Sequence, residues 1–222
     1  DEMVEVVQRG GAGATETVYL GIGDAVPKLL ASHILVRCWE EAPSLKIVVR
    51  EGLPSELFPA LAAHQLDIVI ANEPAPPSLK AVLFSAKSGR YGVHFVATGE
   101  LKKAYNPKRG LSGFPVLLPT RESALRRELD RWWAENGIVP DIRAEFDDTA
   151  AMCELASSGI GAAPVLEPVL DDVFKRYGLQ KLPLKTGIQE ELFVITAERQ
   201  FSQEGPRMIA RIASSHRRES AR

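Results

Sequence analysis

The chain has 222 residues, 45% hydrophobic and 25% charged, enough for one large domain or two small lobes around a packed core. Its formal net charge is −2, and its basic residues come in short pairs such as Lys102-Lys103, Arg126-Arg127 and Arg217-Arg218. A phosphate-binding face needs clustered cations, so nucleic-acid binding by this chain alone is not expected. No apolar run is long enough to span a bilayer, and the polar, acidic segment 1–10 does not read as a secretory signal. Its start at Asp1 rather than Met is that expected of a fragment or a processed chain.

In chain order, apolar strands alternate with amphipathic helices. TVYLGIG (17–23) reads as a strand, and 24–41 as a helix with Asp24 as its N-cap. Strand 45–50, helix 54–65 and strand 67–71, apolar from Ile68 onward, complete a β-α-β-α-β run, the pattern of a parallel sheet. Segment 83–98 reads as two strand pieces around a turn at Ser88-Gly89-Arg90, and 99–113 as a Gly-, Pro- and Lys-rich loop crossing into a second lobe. There the pattern repeats. Strand 114–118 leads to helix 120–137, which Gly137 ends, then strand 142–146 to helix 148–158, opened by Asp148 and closed by Gly159. Strand 160–165, helix 167–177, a short edge strand 179–184, a returning strand 191–196 and a last helix 206–216 follow.

Three predicted helix starts follow the carboxyl ends of strands: Gly23-Asp24-Ala25, Thr120 to Ser123, and Asp148-Thr149-Ala150. Free N–H groups and the positive end of the helix dipole make such places anion sites, and Thr120, Arg121 and Ser123 suit a carboxylate. Simple capping by Asp24, Thr120 and Asp148 is the plainer alternative. A competing feature is the group of carboxylates at the same strand ends: Asp24, Glu73, Glu145, Asp147 and Asp148. Hard cations take oxygen ligands, so Asp24, Asp147 and Asp148 are candidate ligands for a metal cation.

Catalysis finds little support. The sequence holds no GxSxG, HExxH or GxxxxGK[ST], and its four histidines are scattered. Cys38 and Cys153 lack metal-ligand spacing and read as buried thiols in a reducing compartment, the cytoplasm. Trp132 and Trp133 read as core and interface. The helix from Val26 to Trp39 is apolar nearly all round, more than one sheet face needs, which predicts a homodimer contact through Leu30, Ile34 and Leu35.

LKIVVREGLPSELFPALAAHQLDIVIANEP (45–74), FPVLLPTRESALRRELDRWWAENGIVPDIRAEFDD (114–148) and ASSGIGAAPV (156–165) together resemble the effector-binding domain of LysR-type transcription regulators, and the likeness runs from about Tyr19 to Ile212. GIGDAVPKLL (21–30), SAKSGRYGVHFVAT (85–98), EFDDTAAM (145–152), AAPVL (162–166) and EELFVITAER (190–199) resemble a sodium-responsive member of that family. The resemblance implies an α/β, two-lobed, type 2 periplasmic-binding-protein-like fold, each lobe a small, mostly parallel sheet flanked by helices. Lobe I would comprise 17–98 and 189–222, lobe II 99–188, and 1–16 the end of a linker from an N-terminal DNA-binding head. It places the effector cleft between the lobes at Gly23 to Ala25, Thr120 to Ser123 and Asp148-Thr149, to which the carboxylate pattern adds Glu73 as an effector-binding candidate. Many family members carry Ser or Thr where this chain has Asp24-Ala25, a departure that suits a cation such as sodium or lithium better than an organic anion. The resemblance also implies homodimers in which the Val26 to Trp39 helix meets the Thr120 to Trp133 helix of a second copy, with Arg126 and Trp133 in the contact, and tetramers at full length. DNA would be met only through the head, and no cofactor or membrane partner is implied. A periplasmic solute-binding protein of the same fold is the alternative reading.

Overall fold

The computed structural model describes residues 16–80, 82–197 and 201–215. The expected linker end at 1–15, His216 and the Arg217-Arg218 pair lie outside them. Strand β1 (Thr17–Gly23) is followed by α1 (Lys28–Glu41), β2 (Lys46–Gly52), α2 (Pro54–Ala62) and β3 (Ile68–Ala71). β1 lies between β2 and β3, parallel to both, in register Thr17 to Lys46 and Leu20 to Ile68. All of β3 is buried, as an unbroken apolar run on a doubly covered strand predicts.

β4 (Phe84–Ala97) then leaves this sheet for the second half of the molecule. The second half contains α3 (Gly99–Ala104), β5 (Pro115–Pro119), α4 (Ala124–Asn136) and β6 (Asp141–Phe146). It continues with α5 (Thr149–Ser157), β7 (Ala163–Leu166), α6 (Leu170–Tyr177) and β8 (Gln180–Lys181). β9 (Gln189–Thr196) returns to pair antiparallel with β3 and with the first part of β4, and α7 (Glu204–Ser215) follows. The far end of β4 pairs with β7 and β8, while β5 and β6 run parallel beside them, joined through the bridge from Val116 to Ala162. Two βα units are thus connected by two long antiparallel strands.

Several expected boundaries shift, each for a local reason. The predicted turn at Ser88-Gly89-Arg90 is a bulge inside one 14-residue strand, with the register shifting between Lys87 and Gly89. A Cβ on Gly89 would come within 2.3 Å of the Tyr91 ring, so glycine lets the strand continue where a side chain would break it. The predicted loop 99–113 opens with α3, because the Thr98 hydroxyl accepts from the Leu101 N–H at 3.4 Å as its cap. The first helix starts at Lys28, not Asp24. The Asp24 N–H donates to the Gly52 carbonyl and the Val26 N–H to Gly23, closing a turn, and Pro27 takes the N-cap place. Likewise α4 starts at Ala124, after a turn in which the Ser123 N–H donates to the Thr120 carbonyl. Gly137 ends α4 at φ 63°, the left-handed conformation that a C-terminal cap requires.

The main core joins the two halves. It gathers Leu20, Ile22 and Ile68 with Leu30 and Ile34 of α1, and with Met152, Val165, Val169 and Val173 from the second half. A second core under α4 holds Phe95, Leu118, Leu125, Leu129 and Trp133, and a third under α2 holds Leu57, Phe58 and Leu61. This corrects the interface reading of four residues. Leu30, Ile34, Arg126 and Trp133 are 0%, 2%, 2% and 5% exposed within one chain, so they offer no surface to a second copy. The surplus apolar surface of α1 is largely taken up by α7 and by the turn at Glu167–Val169. Leu35 stays partly exposed, and Val36 and Trp39 are open to solvent.

Candidate functional site

A cleft of about 660 Å³ opens between the two halves. Asp24 and Ala25 reach it from the turn after β1, and Asn72 and Glu73 from the end of β3. Facing them are Thr120 and Ser123 at the start of α4, and Asp147 and Thr149 at the start of α5. Glu190, on the crossing strand β9, lines it as well. These positions follow from topology: strands that end at the same edge deliver their following loops to one crevice.

The candidates divide into those that meet and those that do not. Asp24, Ala25, Glu73, Thr120, Ser123, Asp147 and Thr149 share the cleft wall. Gly23 is buried at the end of β1, and neither it nor the exposed Arg121 lines the cleft. The α1 start does not reach the cleft, so two helix beginnings converge there rather than three.

Asp148 is already engaged. Its Oδ1 accepts from the Ala150 N–H at 2.7 Å as the cap of α5, and its Oδ2 accepts from Lys28 Nζ at 2.7 Å. The Lys28 ammonium holds the Asp148 carboxyl below the usual carboxylate range. With both oxygens used, Asp148 is not a free cation ligand. Glu145 is likewise spoken for by Arg126 at 2.6 Å and does not line the cleft. The Thr120 hydroxyl donates to Asp147 Oδ1 at 2.6 Å, which orients that carboxylate. No group of three or more His, Cys, Asp or Glu side chains suited to a metal ion occurs among the described residues.

Sequence reasoning missed Glu190, Asn72, Leu53 and Arg127, all of which line the cleft, while Glu122 lines it from within the expected Thr120 to Ser123 segment. Glu190 is 9% exposed, and burial, aided by the nearby Glu128 charge, pushes its carboxyl up to about 7. The only available sign was a charged residue at an inward position of a strand, on the same side as Leu192 and Val194. Five carboxylates, Asp24, Glu73, Glu122, Asp147 and Glu190, line the cleft against one guanidinium, that of Arg127. The two cysteines sit in the core, where burial pushes Cys38 up to about 11 and Cys153 up to about 12, so both remain thiols near neutral pH.

Two βα units enclosing a ligand-sized cleft at their strand ends define a two-lobed binding domain, and residues 11–210 match the model of the LysR substrate binding domain, the family to which this chain belongs. It is the effector-binding domain of a LysR-type regulator. Among named relatives, it is similar to the transcriptional activator protein NhaR of Escherichia coli strain K12, 29% identical over 182 residues. That match covers 81% of this chain and 60% of NhaR, so the chain spans less than two thirds of that relative. Its fold resembles the reduced regulatory domain of OxyR2 from Vibrio vulnificus (TM-score 0.71, 15% identity, 93% of this chain and 100% of that one). It also resembles the bromide-bound regulatory domain of HypT from Salmonella typhimurium (TM-score 0.69, 14% identity, 93% and 98%).

Proposed function

We propose that this chain is the sensing and dimerisation part of an NhaR-like activator, and that a small, positively charged effector in the cleft sets the angle between its lobes. The carrying observation is the wall itself, five carboxylates against one cation around a buried, unpaired Glu190. That charge balance disfavours a small anion, although two helix N-termini border the cleft. Sodium or lithium is the effector that the sequence resemblance brings forward. A ligand shifts such an equilibrium only by its differential affinity for the open and closed arrangements, and a cleft shared by both halves provides that difference. In this reading β4 and β9 are the hinge. The pairing of Val93 to Ala97 with β7 and β8 supports a lobe boundary at the far end of β4, close to the expected one between 98 and 99.

The domain binds effector without turning it over, works in the cytoplasm, and leaves DNA contact to a separate head. A net charge of −2 supports the last point. Among the described residues no helix is long and apolar enough to cross a membrane. The family match supports a regulator over a periplasmic solute carrier. Homodimers form through the exposed strip of α1, and tetramers at full length.

The test is thermal melting at constant ionic strength. Sodium or lithium raises the melting temperature above that in matched potassium, and a cleft-filling Ala25→Trp substitution removes the difference. Equal melting in all three salts overturns the alkali-ion effector, and a difference that survives Ala25→Trp overturns the cleft as its site.

A further inference from the structure

The cleft is far larger than an alkali ion needs. A cavity of about 660 Å³ is in the range that holds a small organic molecule. Part of its wall is apolar, supplied by Leu53, Pro54, Phe146 and Met152, and offers an organic body something to pack against. Within that wall sits one ionisable group that the fold itself does not use. Glu190 is nine-tenths buried, faces inward with Leu192 and Val194, and its side chain makes no hydrogen bond or ion pair with any described residue. A buried carboxyl without a partner costs stability, and a fold retains one where something else completes it. Lone carboxylates bind alkali ions weakly, because such ions need several oxygens at once, and no metal-suited group of three acidic or His/Cys side chains exists among the described residues. An ammonium group differs. It forms directed hydrogen bonds to one carboxylate and brings the opposite charge.

We propose that Glu190 is the charge-selecting residue of the cleft and receives the ammonium group of a small organic amine. The inference rests on the cleft being the effector site, and names the effector's chemical class. The rest of the ligand lies toward the Thr120 and Thr149 side, where hydroxyl groups select for polar substituents. Binding is coupled to protons, since an ammonium group prefers the ionised carboxylate. The other titratable groups bearing on Glu190 are Glu128 of α4, Tyr91 beside it on β4, and the cleft residues Asp24, Glu73, Glu122, Asp147 and Arg127. Burial moves the titration of Glu190 up to about 7.

The experiment is a thermal-shift panel on the whole chain. Probes are ethanolamine, cadaverine, agmatine and tyramine, set against sodium, lithium and potassium chloride at equal ionic strength, at pH 6 and pH 8. The expected result is a rise of several degrees with at least one amine, larger at pH 8, that falls at least tenfold in affinity in Glu190→Gln. That variant keeps the side-chain shape and removes a buried charge, so it folds; circular dichroism verifies this. No response to any amine, a response unchanged in Glu190→Gln, or a response to alkali ions alone overturns the proposal. An amine response that survives Glu190→Gln but is lost in Ala25→Trp leaves the cleft reading standing. A response that survives both removes the cleft reading too.

Discussion

Lys28 Nζ lies 2.7 Å from Asp148 Oδ2, an ion pair that ties the first turn of α1 to the cap of α5 and so joins the two halves beside the cleft. His33 and Asp172 repeat the connection at 3.1 Å between α1 and α6. Both pairs bear on α1, the helix that carries Leu30 and Ile34 into the shared core. α1 is thus held to the second half by two ion pairs as well as by its core residues.

Lys28→Ala and Asp148→Ala should therefore differ. The pair is about half exposed, so losing its charge attraction costs no more than ~0.5 kcal/mol. Asp148→Ala also removes the cap on the Ala150 N–H and costs about 1–2 kcal/mol. Asp148 has a lowered pKa in the fold, so its contribution is present above its unfolded pKa and is lost as pH falls through the lower folded value. Chemical denaturation of both variants at pH 7 and pH 3 checks this: the Asp148→Ala deficit shrinks at the acid end.

Glu190 carries the opposite sign. Its folded pKa of about 7 lies above the 4.5 of an ordinary glutamate, so the fold favours the protonated form. The penalty on stability is absent below pH 4.5, grows up to about pH 7 and is constant beyond. In the absence of ligand, Glu190→Gln stabilises the domain by roughly 2–3 kcal/mol at pH 8 and scarcely at pH 4.5. Melting curves across that range test it; parallel curves for wild type and variant refute the buried-charge account.

The fold was more legible in the chain than the site. Period-two and period-3.6 patterns place every major strand and helix, because β3 and α4 bury complete faces whose spacing shows in the residues. Boundaries failed where the backbone rather than side-chain pattern decides. A bulge around Gly89 looks like a turn, and Asp24 followed by an apolar run looks like a cap. Within the cleft, Asp24, Thr120 and Thr149 were visible because they sit just after strands. Glu190 was not, since it lies in a strand that returns to the sheet from 93 positions after β4's Ala97, and only tertiary pairing brings it to the cleft floor. Arg126 misled for a related reason: a charged residue on an amphipathic helix reads as surface, yet its guanidinium is satisfied internally by Asp130, Glu145 and the Pro119 carbonyl.

That internal network makes Arg126 a stability residue. Arg126→Ala removes a buried side chain and strands the Pro119 carbonyl, at a cost of about 2–4 kcal/mol. Arg126→Met keeps the packing volume and costs less, because Asp130 and Glu145 are exposed enough to rehydrate. Urea denaturation ranks the two; an equal loss in both would show that charge, not packing, dominates.

The last expectation separates core from interface on a single helix. Ile34 is 2% exposed and Val36 is 52% exposed, though both were part of one apolar run in the sequence. Ile34→Ala deletes buried methyl groups and leaves a cavity, so it lowers stability by about 2–4 kcal/mol without changing the self-association of the folded fraction. Val36→Glu does the reverse. The side chain already faces water in a single chain, so a monomer tolerates the change within about 0.5 kcal/mol. A dimer packed on Val36 and Trp39 would have to desolvate a carboxylate with no partner, which costs several kcal/mol at an interface centre. Sedimentation velocity with melting curves on both variants discriminates: a Val36→Glu protein that melts normally and sediments as a monomer places the contact on this strip, and one that still dimerises moves it elsewhere.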